Sequence, residues 1–155
     1  SSADTVNSTA TVANNAGLGI AGSAATIFDG NIAGAGQLTY QGTGSLSLTG
    51  TNTMTGPLVS TGAGGGGEIA IVDDASGNNG SVATESVLAI AGGTIRTDGG
   101  AFGSSAVIAV DAGTLTLTGS ETVSALTGNA VADFTGTVNL NGPGTTLTLN
   151  GSTAN

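Results

Sequence analysis

The stretch Val87-Leu88-Ala89-Ile90-Ala91-Gly92-Gly93-Thr94-Ile95-Arg96-Thr97-Asp98-Gly99 recurs twenty residues later as Val107-Ile108-Ala109-Val110-Asp111-Ala112-Gly113-Thr114-Leu115-Thr116-Leu117-Thr118-Gly119. Val, Ala, Gly, Thr and Gly recur identically, and three further positions exchange one aliphatic residue for another. The segment Glu68–Val72 resembles the start of this pattern nineteen residues before Val87, which predicts an earlier copy there. A repeat at a near-constant offset is the sequence signature of a solenoid, whose coils bury too little surface to be stable alone.

A second phrase, Leu-x-Leu followed by Thr or Asn, Gly, and Thr or Ser, occurs three times, beginning at Leu46, Leu115 and Leu147. Its alternation of large apolar and small polar residues predicts a strand with one buried face. The Gly that follows ends the strand, because Gly adopts turn conformations that strain other residues. We therefore interpret the three phrases as copies of one structural unit.

Gly-rich and polar stretches separate the strand-like runs, and no segment predicts a helix. We predict an all-β protein, a parallel β-solenoid (β-helix) of about seven short coils, as a single repetitive domain over residues 1–155. The alternative is an antiparallel β-sandwich or jelly roll, which also uses many short alternating strands. The solenoid is favoured because a sandwich does not require a constant period.

The chain is rich in small residues and acidic: 29 of its 155 residues are Gly, and its formal net charge is −9 with Arg96 as the single basic side chain. Nucleic acids and anionic lipids are bound through several Lys and Arg residues, so both are excluded as partners. Positive mean hydropathy and only two Pro residues favour an ordered chain. No apolar run is long enough for a transmembrane helix. Because the sequence begins at Ser1 rather than Met, we expect a processed, secreted chain or an excised fragment.

The side chains that enzymes commonly use are scarce. His and Cys are absent, so Ser and Thr lack a neighbouring base, and the inventory for holding a sugar is Arg96 with Tyr40, Phe28, Phe102 and Phe134. We therefore predict that the protein is not an enzyme and has no catalytic, cofactor-binding or metal site.

Three local features carry weaker expectations. Asp73 and Asp74, beside Asn78 and Asn79, could bind Ca²⁺ weakly, but their spacing matches no calcium loop and favours a polar turn. The run Gly64–Gly67 predicts a turn or a point of close packing. Arg96 is expected to pair with Asp98 or Asp111 at the surface.

The segment Gly42-Thr43-Gly44-Ser45-Leu46-Ser47-Leu48-Thr49-Gly50-Thr51-Asn52-Thr53-Met54-Thr55-Gly56 resembles the autotransporter-associated β-strand repeat. Of the fixed positions of that family's phrase, only Met54 departs, where Tyr is usual. A degenerate copy runs from Gly113 to Gly128, with Glu121 for Asn and Val123 for the aromatic residue. The resemblance implies secretion to the cell surface, a right-handed β-helix passenger, and adhesive or scaffold roles. These 155 residues are fewer than such passengers have and include no membrane-barrel domain, so we expect an excised piece or a stand-alone protein made of the same repeat.

Two functions follow as hypotheses. The first is an extracellular, self-assembling structural subunit of a cell-surface filament or fibre, a homo-oligomer that stacks head to tail. The strand-like residues 1–12 would pair with the edge of a neighbouring subunit. The alternative is an adhesin segment that attaches to a surface ligand or polysaccharide through repeated weak contacts.

Overall fold

In the computed structural model the described residues are 4–6, 11–61, 67–72, 80–82, 87–110, 112–127 and 136–151. Within them the chain forms strands and turns, and no helix. The strands, in chain order, are β1 (Asp4–Val6), β2 (Thr11–Ala13), β3 (Gly17–Ile20), β4 (Thr26–Phe28), β5 (Asn31–Gly34), β6 (Gln37–Tyr40), β7 (Ser45–Leu48), β8 (Thr51–Met54), β9 (Leu58–Thr61), β10 (Glu68–Ile71), β11 (Ser81–Val82), β12 (Val87–Gly92), β13 (Thr94–Thr97), β14 (Val107–Val110), β15 (Thr114–Leu117), β16 (Glu121–Val123), β17 (Ala125–Thr127), β18 (Thr137–Leu140) and β19 (Leu147–Leu149).

The strands build a three-sided parallel β-solenoid. The first side is a seven-stranded sheet in the order β1-β4-β7-β10-β13-β15-β18. The second side consists of the sheet β11-β8-β5-β2 and, further along, the pair β16-β19. The third side is the sheet β17-β14-β12-β9-β6-β3. Successive strands of the chain visit the three sides in turn, so each circuit is one coil.

Every pairing among the described strands is parallel, which excludes the antiparallel sandwich. The first side has seven strands, one for each predicted coil, and five coils have a strand on all three sides. In the fifth coil, residues 98–106 form turns where a second strand would lie. The offset of twenty is confirmed, because Val87 pairs with Val107 and Thr94 pairs with Thr114.

The core consists of the side chains that alternate inward along each strand. On the first side Leu46, Ile69, Ile95 and Leu115 form one continuous column, each fully buried. A fully buried Leu or Ile contributes roughly 1.5–3 kcal/mol relative to an exposed one. Each coil adds only a few such residues, so stability depends on the coils above and below it.

Gly residues at the corners allow neighbouring coils to approach each other closely. A Cβ at Gly50 would overlap the carbonyl oxygen of Gly30, and a Cβ at Gly56 would overlap that of Gly36, each twenty residues earlier. Gly67 packs against the carbonyl of Gly42 in the same way, which confirms close packing at this end of the Gly run. Neighbouring turns therefore stack backbone on backbone.

Two sequence interpretations are wrong in their placement. Strand β10 lies on the first side and pairs with β7 and β13, so Glu68–Val72 is not the copy that precedes Val87, which lies on the third side. Strand β19 lies on the second side, whereas the other two Leu-x-Leu strands, β7 and β15, lie on the first. Alternation shows which side chains point inward, but it does not distinguish the three sides.

Candidate assembly surfaces

The two ends of the solenoid expose strand edges. At the N-terminal end β1, β2 and β3 each pair on one edge, with β4, β5 and β6. At the C-terminal end β18, β19 and β17 pair on one edge, with β15, β16 and β14. No other described strand covers the outer edges of these six strands. An uncovered strand edge presents backbone N–H and C=O groups that can pair with another chain.

The C-terminal end also exposes apolar side chains whose positions continue the buried core of the coils below. Leu140 pairs in register with the fully buried Leu117, and Leu149 pairs with the fully buried Val123. These two leucines are nevertheless 49% and 53% exposed, and they are the large apolar side chains exposed among the described residues. Their exposure arises because no described coil lies above them.

The N-terminal end carries a hollow where β2 turns into β3. A cavity of about 330 Å³ is lined by the seven residues from Val12 to Leu18. Val12 and Leu18 are half-buried and continue the interior columns of Ile32 and Leu38. Asn14 closes the inner side of the hollow, because its amide nitrogen donates to the carbonyls of Gly36 (3.1 Å) and Gln37 (3.0 Å).

Asn52 is a fully buried polar side chain on the second side, in phase with the buried Met54. Its Oδ1 accepts a hydrogen bond from the backbone N–H of Ile32, one coil earlier (3.0 Å). Its Nδ2 donates to the carbonyl of Gly50 (2.9 Å) and to that of Ser81, one coil later (3.1 Å). One side chain thus connects three coils and provides partners for the buried Ile32 amide and Gly50 carbonyl and for the partly buried Ser81 carbonyl.

Glu121 is the second buried polar group of this kind, with 2% of its surface exposed. Its Oε1 accepts from the Thr97 hydroxyl (2.7 Å) and from the Ala101 amide (3.0 Å), and Oε2 accepts from the Phe102 amide (3.4 Å). The carboxylate therefore fastens the irregular loop 98–106 to the next coil. In the sequence Asn52 and Glu121 stand out only as positions of the repeated phrase. The signal for their burial is that each lies two residues before an inward apolar residue, Met54 and Val123.

Burial changes the titration of two side chains. It raises the pKa of Glu121, an effect that the nearby Asp98 carboxylate reinforces and that the three hydrogen bonds oppose. It also raises the pKa of Tyr40, whose hydroxyl is buried without a hydrogen-bond partner among the described residues.

The residues singled out in the sequence are placed as follows. Arg96 pairs with Glu68 on the adjacent strand (Nε–Oε1 3.2 Å), a partner that the sequence did not indicate. Residues 1–12 contribute β1 and the beginning of β2 to the first coil. Asp73, Asp74, Asn78, Asn79 and Asp111 lie outside the described residues.

The described part of the chain contains no cluster of three or more Asp, Glu, His or Cys residues that could hold a metal ion. It also contains no helix with the length and apolarity needed to cross a membrane. Comparisons with protein-family models, with curated proteins and with solved structures found no match.

Proposed function

We propose that this protein is an extracellular structural subunit that assembles end to end into a filament or fibre. The observation that supports the proposal is that, among the described strands, those at each end of the solenoid have one edge that no other strand covers. A second copy stacked on the C-terminal end would place its β1 and β2 against β18 and β19 and would extend the first and second sides by parallel pairing, while on the third side β17 lies one coil before that end. The resemblance of Gly42–Gly56 to the autotransporter-associated repeat supports placement at the cell surface.

The geometry of this contact favours a filament over a closed oligomer. The N-terminal edges of β1, β2 and β3 differ from the C-terminal edges of β17, β18 and β19, so the contact between copies is heterologous. Stacking along one axis brings in no rotation that would close a ring, and a heterologous contact that does not close produces an open filament. Each subunit would add about 34 Å, which corresponds to seven strand spacings of ~4.8 Å.

Negative-stain electron microscopy of the purified chain at neutral pH, with and without Ca²⁺, tests the proposal. We expect unbranched filaments under both conditions. Dispersed rods of a single subunit length at high protein concentration would contradict the proposal and would favour an adhesin segment instead, to be tested by ligand screening.

A variant that lacks residues 1–12 sharpens the test because it removes β1 and the beginning of β2 while leaving the C-terminal edges intact. We expect this variant to form no filaments alone. Added to the complete chain, it should bind the end that presents N-terminal edges and shorten the filaments. The matched control is the complete chain at the same total concentration, and unchanged filament lengths would contradict the role of the N-terminal strands.

A further inference from the structure

On the first side the backbone register runs from one end of the solenoid to the other. It passes from position 6 in β1 to Leu140 in β18 through the pairs Val6–Phe28, Phe28–Leu48, Leu48–Ile71, Ile71–Thr97, Thr97–Leu117 and Leu117–Leu140. A copy stacked in register on the C-terminal end would therefore bring its own Val6 position next to Leu140.

On the second side, equivalent positions in successive coils relate Leu149 to the hollow. Leu149 pairs with Val123, and Val123 lies two residues after Glu121 as Met54 lies two residues after Asn52. Met54 pairs with Gly34, and the residue in register with Gly34 in the first coil is Asn14, one position beyond the paired Ala13 and Ala33. Asn14 belongs to the lining of the hollow, so Leu149 occupies in the last coil the position that Asn14 occupies in the first.

We propose that Leu149 of one copy seats in the hollow between Val12 and Leu18 of the next, with Leu140 packed beside it against the first coil. This contact rests on the proposed function and defines its polarity: every filament subunit points the same way. The occupant is a second copy of this chain, because the exposed leucines and the hollow lie at opposite ends of the solenoid and at matching positions of the coil. Strand edges alone would tolerate slipped pairings, whereas the leucine and the hollow select one register.

Truncation of the leucines tests the side-chain part of the contact. Leu149→Ala and Leu140→Ala should each raise the critical concentration for assembly about tenfold, because apolar surface that becomes buried between copies is lost. Thr148→Ala is the matched control, since Thr148 lies between Leu147 and Leu149 on the exposed outer face of the same strand. Circular dichroism and thermal unfolding of the monomers establish that the variants fold, which is expected because both leucines are already half exposed.

Cross-linking tests the geometry directly, and the absence of Cys in the chain gives a clean background. The double variant Ala16→Cys with Leu149→Cys, treated with a short bis-maleimide, should give a ladder of oligomers, because Ala16 is an exposed residue of the hollow lining. Each single variant should remain monomeric after the same treatment, because head-to-tail stacking does not bring two copies of one thiol together. The control pair is Ala16→Cys with Thr122→Cys, which places the second thiol on the outer face of β16, one coil below the end.

The outcomes separate this inference from the function on which it rests. Filaments that form equally well with both leucine variants, or that give no ladder with the Ala16 and Leu149 pair, overturn the seating while end-to-end assembly stands. A wild-type chain that remains monomeric overturns both. Dimers from the Leu149→Cys variant alone would show tail-to-tail pairing and would also overturn the seating.

Discussion

The carboxylate of Glu121 lies in its coil where the carboxamide of Asn52 lies three coils earlier. Each accepts a hydrogen bond from the backbone N–H twenty residues before it, Ala101 for Glu121 and Ile32 for Asn52, and both distances are 3.0 Å. The two groups differ in chemistry, because a carboxamide stays neutral at all ordinary pH values and a carboxyl group titrates. The same type of coil-to-coil contact is therefore insensitive to pH in one half of the solenoid and sensitive in the other.

The pH dependence of stability should follow from Glu121. Because burial raises its pKa above the ordinary value of 4.5, the folded protein holds the proton more tightly than the unfolded chain does. The contribution of Glu121 to stability is then complete below pH 4.5 and is lost as the pH rises through the native pKa. The free energy of unfolding of the wild type should therefore decline over this pH range. We expect Glu121→Gln to remove the part of the decline that comes from Glu121, measured by urea denaturation at a series of pH values.

Glu68→Gln is the matched control for that experiment, because Glu68 is a partly exposed carboxylate that pairs with Arg96. Removing the Glu68 charge should lower the free energy of unfolding by about 0–1 kcal/mol. The decline with pH that is attributed to Glu121 should remain. Parallel pH profiles for wild type and Glu121→Gln would show that Glu121 does not control the effect.

Asn52→Ala should be among the most damaging single substitutions on the second side. It leaves the Ile32 amide and the carbonyls of Gly50 and Ser81 without their side-chain partner inside the protein. We expect a loss of roughly 2–4 kcal/mol in the free energy of unfolding, since a buried unsatisfied group costs about 1–3 kcal/mol. Thr51→Ala, at an exposed position of the same strand, should change it by less than about 0.5 kcal/mol. Equal effects of the two substitutions in urea denaturation would refute the role of Asn52.

A corner glycine and a strand glycine should differ sharply in their tolerance of a methyl group. Gly50→Ala would drive a Cβ into the Gly30 carbonyl, and we expect a loss of about 1–3 kcal/mol from this overpacking. Gly19→Ala meets no atom within 4 Å and should be neutral or slightly stabilising. Thermal unfolding of the two variants compares them directly, and a Gly50→Ala protein as stable as wild type would argue against the close stacking of coils.

Tyr40→Phe removes a buried hydroxyl that has no hydrogen-bond partner among the described residues. We therefore expect unchanged or slightly higher stability at neutral pH. Because burial raises the pKa of Tyr40 above 10.0, wild type should lose stability as the pH rises past that value, and the variant should be spared this loss. Tyr40 is the only Tyr in the chain, so alkaline absorbance reports it alone. Titration of the native protein at the ordinary value would contradict its burial.

The sequence predicted the period and the inward faces of the strands well. Val87 and Val107 do pair, and the Leu-x-Leu alternation at Leu46 and Leu115 does mark buried strands of one side. These features follow from local rules, because a fixed offset and a period of two are visible in the chain itself.

The sequence could not assign strands to sides, because coil length varies. The register offset is twenty residues between Thr94 and Thr114 but twenty-six between Glu68 and Thr94. Loops of unequal length absorb the difference, so counting residues placed β10 on the wrong side. The shared Leu-x-Leu phrase placed β19 on the wrong side, because alternation is the same on all three sides. The hollow and the exposed leucines depend on where whole coils lie, which no local pattern records.

Pairing only between adjacent coils also determines how the protein would respond to a mechanical load. A force applied to the two ends of the chain would peel strands from the outermost coil one after another, since each described strand pairs only with strands of adjacent coils. A released coil of twenty residues would lengthen the chain by about 70 Å at full extension, and a coil of twenty-six residues by more. Stretching would then produce a series of small steps whose sizes follow the coil lengths, and a fibre built from such subunits could yield gradually and recover coil by coil.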